Sequence, residues 1–126
     1  MGYGLSKGAF QRIAGFLDVE LRDQGIRAYN VQPGLIATER IGQDMAKFGI
    51  ANVGAPAEVV AKAVTWLVTN PEGPTFSGRT VEAQWFCHDR KLLDGWDGPA
   101  PVGNNIRYDD AAANLAAYEA RWASAD

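Results

Sequence analysis

Two strand-forming segments with a proline-opened helix between them constrain the fold of this chain more than any other feature. The first segment covers residues 26–31 and ends before Pro33-Gly34, and the second covers residues 78–86. The helix between them begins at Pro56 and is ended by Asn70-Pro71. Strand, helix, strand is a βαβ unit, in which the strands are parallel and the crossover is right-handed. We therefore predict an α/β fold.

A long helix precedes the first strand. Its apolar residues recur at helical spacing between about Leu5 and Gln24. They are Phe10, Ile13, Leu17 and Leu21. Gly25 ends the helix, because glycine adopts the left-handed conformation at little cost. The stripe predicts a helix face that packs against another surface.

Composition excludes several classes of protein. The 126 residues allow one domain, which we place over residues 1–126, and the net charge of -3 comes without the basic stripe of a nucleic-acid binder. Cys87 is the only cysteine, so no internal disulfide can form and a reducing compartment is expected. No apolar run approaches the ~18 residues of a membrane span, and the first residues do not form a secretory signal. We predict a cytoplasmic protein that binds neither nucleic acid nor membrane.

Tyr3 and Lys7 stand four residues apart at the start of the long helix, which puts both side chains on one face. An unperturbed tyrosine has a pKa of about 10, too high for easy proton exchange at neutral pH. Lowering that pKa by ~2 to 3 units takes roughly 3 to 4 kcal/mol of preference for the phenolate. A cation about 4 Å away supplies ~4 kcal/mol at an effective dielectric near 20. Lys7 can therefore make Tyr3 a general acid and base, although the spacing also fits a surface tyrosine packed on a lysine stem.

The Tyr3/Lys7 pair is the first of several motifs that follow one another along the chain. They are Tyr3-x-x-Ser6-Lys7, the helix end at Gly25, the strand at 26–31, Pro33-Gly34-x-x-x-Thr38, the crossover helix and Ser77-Gly78-Arg79. In this order and spacing, residues 2 to about 86 resemble the short-chain dehydrogenase/reductase family. The resemblance implies the C-terminal portion of a doubly wound Rossmann-type parallel sheet. It also implies an NAD(P)-dependent oxidoreductase that transfers hydride between a carbonyl and an alcohol.

The resemblance assigns roles to particular residues. Tyr3 matches the catalytic tyrosine that passes a proton to or from the substrate oxygen. Lys7 matches the lysine that lowers the pKa of that tyrosine and hydrogen-bonds the nicotinamide ribose. The carboxamide end of NAD or NADP would be held by the backbone at Pro33, Gly34 and Ile36 and by the Thr38 hydroxyl. We predict no metal site.

The connection from 35 to 55 resembles the substrate lid of the family. Ile41, Met45 and Phe48 are spaced as one face of a short helix within it. Long loops in compact domains are often lids or binding loops. We therefore expect a small carbonyl or alcohol substrate that is largely apolar.

Some parts of the family pattern are not among these residues. A strand with a Gly-rich phosphate turn, and a catalytic serine, should stand ahead of Tyr3, which only Met1 and Gly2 precede. The glycines at positions 2, 4 and 8 follow no strand and overlap the helix, so we do not interpret them as that turn. We expect this chain to be a fragment of a longer protein, inactive or nearly so by itself. The strand at 26–31 would then have one unpaired edge, and the helices would lack some of their neighbours.

Two alternatives to this interpretation stay open. The first is a non-catalytic interaction module that associates with a full-length family member through Phe10, Ile13 and Leu17. In the family the helix that matches Leu5–Gln24 builds a subunit interface, so the resemblance also implies a homo-oligomer. The second alternative is an epimerase or dehydratase with the same Tyr/Lys pair. The short C-terminal region and the Pro33-Gly34-x-x-x-Thr38 segment count against it.

Residues 87–126 depart from the family. The last strand ends in Glu82-Ala83-Gln84-Trp85, where family members commonly have Asp-Gly-Gly. Cys87-His88 lies at the start of the departing segment, and we interpret Cys87 as structural rather than as a nucleophile. A final helix is predicted after Asp109 or Asp110, with its apolar residues on one side. Those residues are Leu115, Tyr118 and Trp122, and we expect them, like Trp96, to pack on the body or on another subunit.

Overall fold

The two predicted strands pair in parallel, as the βαβ order requires. The computed structural model describes residues 2–47 and 54–99. Within these residues β1 (Asn30–Gln32) and β2 (Thr80–Glu82) form a two-stranded sheet in which Val31 lies opposite Val81. The prediction of an α/β fold with parallel strands is confirmed.

The described ranges also contain four α-helices. They are α1 (Gly2–Leu21), α2 (Glu39–Ala46), α3 (Ala57–Thr69) and α4 (Ala83–Asp89), and short 3-10 helices cover Arg22–Gln24 and Gly73–Phe76. Gly25 follows α1 and its 3-10 extension with φ of +80°, and its N–H donates to the Arg22 carbonyl at 3.0 Å. Pro56 precedes α3 directly and Asn70 follows it. The predicted helix ends at Gly25 and Asn70 are confirmed.

Both strands are shorter than predicted. Residues 26–29 form no strand, although the Ala28 carbonyl accepts from the Gly78 N–H at 2.8 Å. The second prediction, a strand over 78–86, is wrong beyond Glu82, where α4 begins. The Glu82 carboxylate accepts from the Trp85 N–H at 3.0 Å and so caps the new helix. Burial then follows helical rather than alternating spacing.

The core lies between α3, α4 and the sheet. Ala63, Leu67, Val81, Ala83 and Phe86 form its main cluster. The rings of Trp66, Phe76 and Phe86 pack edge to face beside it, with centroids 5.1 to 5.7 Å apart. A second cluster of Ala55, Val59 and Cys87 is covered by Ile36, Leu92, Leu93 and Trp96. Residues 87–99 therefore belong to the same packed body, and Trp96 packs on it as expected.

The long helix α1 is mostly exposed. Ala14 and Asp18 are its buried residues, whereas the predicted stripe is open: Phe10 is 65% exposed, Ile13 46% and Leu17 39%. Of the predicted stripe, Leu21 is half-buried, and the other three residues stay exposed because α1 packs through its Ala14 and Asp18 face. None of the described helices is long and apolar enough to cross a membrane. The predicted final helix, with Leu115, Tyr118 and Trp122, lies outside the described residues.

Candidate functional site

The first two turns of α1 bring the predicted catalytic pair together. The Lys7 Nζ lies 5.5 Å from the centre of the Tyr3 ring. The Tyr3 side chain is well exposed, so its hydroxyl is open to a ligand. The Ser6 hydroxyl donates to the Tyr3 carbonyl at 2.8 Å and bonds only the helix backbone. The predicted placement of Tyr3 and Lys7 on one helix face is confirmed.

A cleft of about 540 Å³ opens between α1 and the end of β1. One wall is the α1 face that carries Tyr3 and Lys7, and the other runs from Asn30 to Gly34. Four residues that the sequence singled out, Tyr3, Lys7, Pro33 and Gly34, therefore line a single cleft. Ile36 and Thr38 are not among the residues that line it.

The cleft has both apolar and polar lining residues and carries one positive charge. Lys7 is the only charged side chain among its lining residues. The side-chain amides of Gln11 and Asn30 also line it, and each donates to the Thr80 hydroxyl oxygen, at 3.3 and 3.1 Å. A lone ammonium group with neutral amides suits a ligand that carries hydroxyl groups or negative charge.

The Pro33-Gly34 turn is hydrogen-bonded by Gln84, a residue that sequence reasoning missed. Gly34 has φ of +68°, a conformation that favours glycine. The Gln84 Nε2 donates to the Pro33 carbonyl at 3.0 Å and to the Leu35 carbonyl at 3.1 Å, and Gln84 is buried. The departure from Asp-Gly-Gly at residues 82–84 was the one sequence signal that pointed to Gln84. Sequence spacing does not show that a Gln84 side chain on α4 reaches the Pro33-Gly34 turn.

Thr38 begins the helix of the predicted lid. Its hydroxyl oxygen accepts from the Ile41 N–H at 3.3 Å, which caps α2. The hydroxyl hydrogen is not used in that bond, so the group can still donate to a ligand. Thr38 is exposed and Ile36 is half-buried.

The two ends of the predicted lid are tied together at its base. The Ala55 N–H donates to the Leu35 carbonyl at 2.9 Å, and the Ala37 N–H donates to the Ala55 carbonyl at 2.8 Å. The connection therefore leaves and returns at one place beside the cleft, as a lid requires. Ile41 and Met45 are half-buried on α2, and Phe48 lies outside the described residues.

Cys87 and His88 do not form a nucleophilic site. They lie on α4, which extends past the end of the predicted strand at residue 86. Cys87 is fully buried, and burial raises the pKa of its thiol, which disfavours the reactive thiolate. His88 is exposed and packs edge-on against the rings of Trp85 and Trp96. The structural interpretation of Cys87 is consistent with this environment.

The comparisons with known proteins add no relative. No protein-family model, no curated protein and no solved structure matches this chain. In the described ranges, no group of three or more His, Cys, Asp or Glu side chains could hold a metal ion.

Proposed function

We propose that this chain carries the proton-transfer and nicotinamide-binding part of an NAD(P)-dependent oxidoreductase of the short-chain dehydrogenase/reductase type. The observation that supports it most is that Tyr3, Lys7, Pro33 and Gly34 line one cleft. These residues come from two elements that are distant in sequence, so their meeting is not a consequence of the helical spacing alone. The parallel β1–β2 pair would be the C-terminal part of a doubly wound Rossmann-type sheet.

The proposed chemistry is the interconversion of a carbonyl and an alcohol. The bound nicotinamide would supply the hydride to the carbonyl carbon in reduction and accept it in oxidation. The Tyr3 hydroxyl donates its proton to the carbonyl oxygen in reduction, and the phenolate takes the alcohol proton in oxidation. Lys7, on the same helix face, places its ammonium group 5.5 Å from the centre of the Tyr3 ring.

Lys7, Pro33 and Gly34 in the cleft, together with Ile36 and Thr38 beyond its lining, would hold the cofactor beside Tyr3. The Lys7 ammonium group has hydrogens to donate to the hydroxyl groups of the nicotinamide ribose. The backbone at Pro33, Gly34 and Ile36 would hold the carboxamide, and the Thr38 hydroxyl hydrogen would add a donor. The lid would cover the substrate with Ile41, Met45 and Phe48, which favours an apolar carbonyl or alcohol.

We expect this chain alone to be inactive or nearly so. Among residues 2–47 and 54–99 no strand is followed by a Gly-rich turn, so none of these residues matches a pyrophosphate site. They also lack a match to the family's catalytic serine. Because cofactor positioning supplies much of the catalysis in such enzymes, the pair Tyr3 and Lys7 would not be sufficient.

Nicotinamide mononucleotide tests the proposal on the chain as it is, because it carries the nicotinamide ribose without the adenosine half. In an NMR titration it should shift the amide signals of Lys7, Gly34 and Ile36, with a Kd of about 1 mM, which represents roughly 4 kcal/mol. AMP should leave these signals in place. The Lys7→Met variant should bind several-fold more weakly, whereas Lys62→Met, on α3 outside the cleft, should bind normally.

Two results would contradict the proposal. One is the absence of any shift near the cleft with nicotinamide mononucleotide. The other is an equal response to AMP, which would indicate a general nucleotide or phosphate site. Micromolar binding of NADH would support the function but contradict the expectation that this chain carries only part of the cofactor site.

A second candidate function is supported by the exposed stripe on α1. Phe10, Ile13 and Leu17 are between 39% and 65% exposed and follow one another along the helix. Apolar residues grouped in this way mark interaction surfaces. A module that associates with another copy, or with a full-length family member, would use this stripe. Self-association without nicotinamide binding would favour this function over the first.

A further inference from the structure

Gln84 stands where a buried side chain can control the shape of the cleft. It is the second residue of α4 and is only 3% exposed. Glu82 caps α4 at its start, so the chain turns from strand to helix within two residues. This abrupt change carries the Gln84 side chain to the turn that follows β1, about 50 residues earlier in the sequence.

The Gln84 carboxamide is hydrogen-bonded to both sides of Gly34. Its nitrogen has two hydrogens, and the carbonyls of Pro33 and Leu35 accept them at 3.0 and 3.1 Å. A Cβ added to Gly34 would collide with this carboxamide. The glycine backbone and the amide group therefore fit against each other, and two peptide carbonyls point toward Gln84.

The same contact reaches the base of the lid. The Leu35 carbonyl accepts a second hydrogen bond from the Ala55 N–H at 2.9 Å. The Leu35 carbonyl oxygen therefore accepts hydrogen bonds from both the Gln84 side chain and Ala55, which is the C-terminal end of the predicted lid. Removing the Gln84 donors would leave the Pro33 carbonyl without that partner and weaken the shared acceptor at Leu35.

We propose that Gln84 is a positioning residue, which orients the backbone of Pro33–Leu35 for the nicotinamide carboxamide. This inference rests on the proposed function for its ligand, but the geometry of the turn can be tested without any ligand. Gln84 would not touch the cofactor itself. Its effect would be to turn the carbonyls of Pro33 and Leu35 toward α4, which sets the direction of the intervening peptide groups in the cleft.

Hydrogen exchange measured by NMR tests the positioning directly. Gln84→Met keeps the length of the side chain and removes both donors. The amides of Ala55 and Ala37 should then exchange about tenfold faster, which represents about 1.4 kcal/mol, whereas the Asn30 amide, bonded to Arg79 across the sheet, should change far less. Gln24→Ala, an exposed glutamine beyond α1, is the matched control and should change none of them.

Binding of nicotinamide mononucleotide tests the consequence for the site. Gln84→Met should weaken it about tenfold, whereas Gln24→Ala should not. If Gln84→Met does not fold, Gln84→Asn serves instead, because it keeps the donors but is too short to reach both carbonyls. Relative to the wild type, Gln84→Asn should increase the exchange rate of the Ala55 amide more than that of the Asn30 amide, as expected for Gln84→Met.

The outcomes separate this inference from the proposed function. Unchanged exchange at Ala37 and Ala55 would overturn it, and so would an equal rise at Asn30, because that would indicate a general loss of stability. Normal affinity for nicotinamide mononucleotide in Gln84→Met would also overturn it. If the wild-type chain does not bind this ligand, the proposed function fails, and the exchange rates alone decide whether Gln84 positions the turn.

Discussion

The carboxylate of Asp18 occupies the space that a side chain at Gly78 would need. A Cβ added to Gly78 would lie 2.9 Å from the Asp18 Oδ2. Asp18 lies on the same face of α1 as Tyr3 and Lys7, since these positions fall within roughly 60° of one another at 100° per residue. The contact between α1 and the turn before β2 therefore determines where Tyr3 and Lys7, the proposed catalytic pair, face.

Gly78→Ala should destabilise the protein more than a glycine substitution at the same φ without a neighbour. Gly78 has φ of +77° and is in contact with Asp18, whereas Gly25 has φ of +80° and open space around it. Gly78→Ala and Gly25→Ala each place an alanine in the left-handed conformation, which costs about 1 to 2 kcal/mol. Only Gly78→Ala also displaces α1, which costs about 1 to 3 kcal/mol more. Urea unfolding of the two variants measures the difference. Equal losses would show that the Asp18 contact is not tight.

The stability of the protein should fall in acid because of Asp18. The Arg22 guanidinium, then the Ser77 hydroxyl, holds the pKa of the Asp18 carboxyl below its ordinary value of 3.8. The stabilisation is present above that ordinary value and is lost as the pH falls through the lowered native pKa. Asp18→Asn and Arg22→Met should each flatten the dependence of unfolding free energy on pH below about pH 4. An unchanged slope in both variants would contradict this role.

Cys87 should react slowly with a thiol reagent in the native state. Its side chain is buried, so the reagent has little access to the sulfur. Burial also raises the pKa of the thiol, so the fraction of reactive thiolate is small. We expect modification at pH 8 to be at least about tenfold slower than in guanidinium chloride. Fast modification of the folded chain would show that α4 opens readily or that Cys87 is accessible.

Ile13→Asp should abolish self-association if the exposed stripe on α1 is an interface. A carboxylate at the centre of an apolar contact is costly to desolvate, by several kcal/mol. Sedimentation velocity would show a shift to monomer at constant secondary structure. Arg12→Asp, at an exposed position about 100° around the same helix from Ile13, is the control and should leave the oligomer intact. A wild-type chain that is monomeric at high concentration would remove this proposal.

Several features of the fold could be predicted because they depend on near neighbours. Gly25 ends the first helix through its own backbone conformation, and Pro56 precedes the crossover helix for the same kind of local reason. The parallel pairing follows from the order of elements. The strand predicted over 78–86 failed beyond Glu82 because alternating apolar residues fit a short helix as well, and the Glu82 cap decides between them.

The site was predicted in part. The helical spacing placed Tyr3 beside Lys7, and the motif order pointed to Pro33-Gly34, which the structure brings to the same cleft. Gln84 could not be found in this way. Its two acceptors lie about 50 residues away, and no spacing within one element shows that α4 would carry its side chain there.

The sequence by itself determined the helix ends, the pairing of Tyr3 with Lys7 on one face and the order of elements that makes the strands parallel. The helix ends and the Tyr3/Lys7 pairing depend on backbone conformation and on contacts within about one helical turn, and the parallel strands follow from the order of the elements. Only the tertiary structure decided that α1 rests on Asp18 while Phe10 is exposed, and that Gln84 supports the Pro33-Gly34 turn. Such contacts join segments that are far apart in the chain, and their geometry emerges only when helices and sheet pack together.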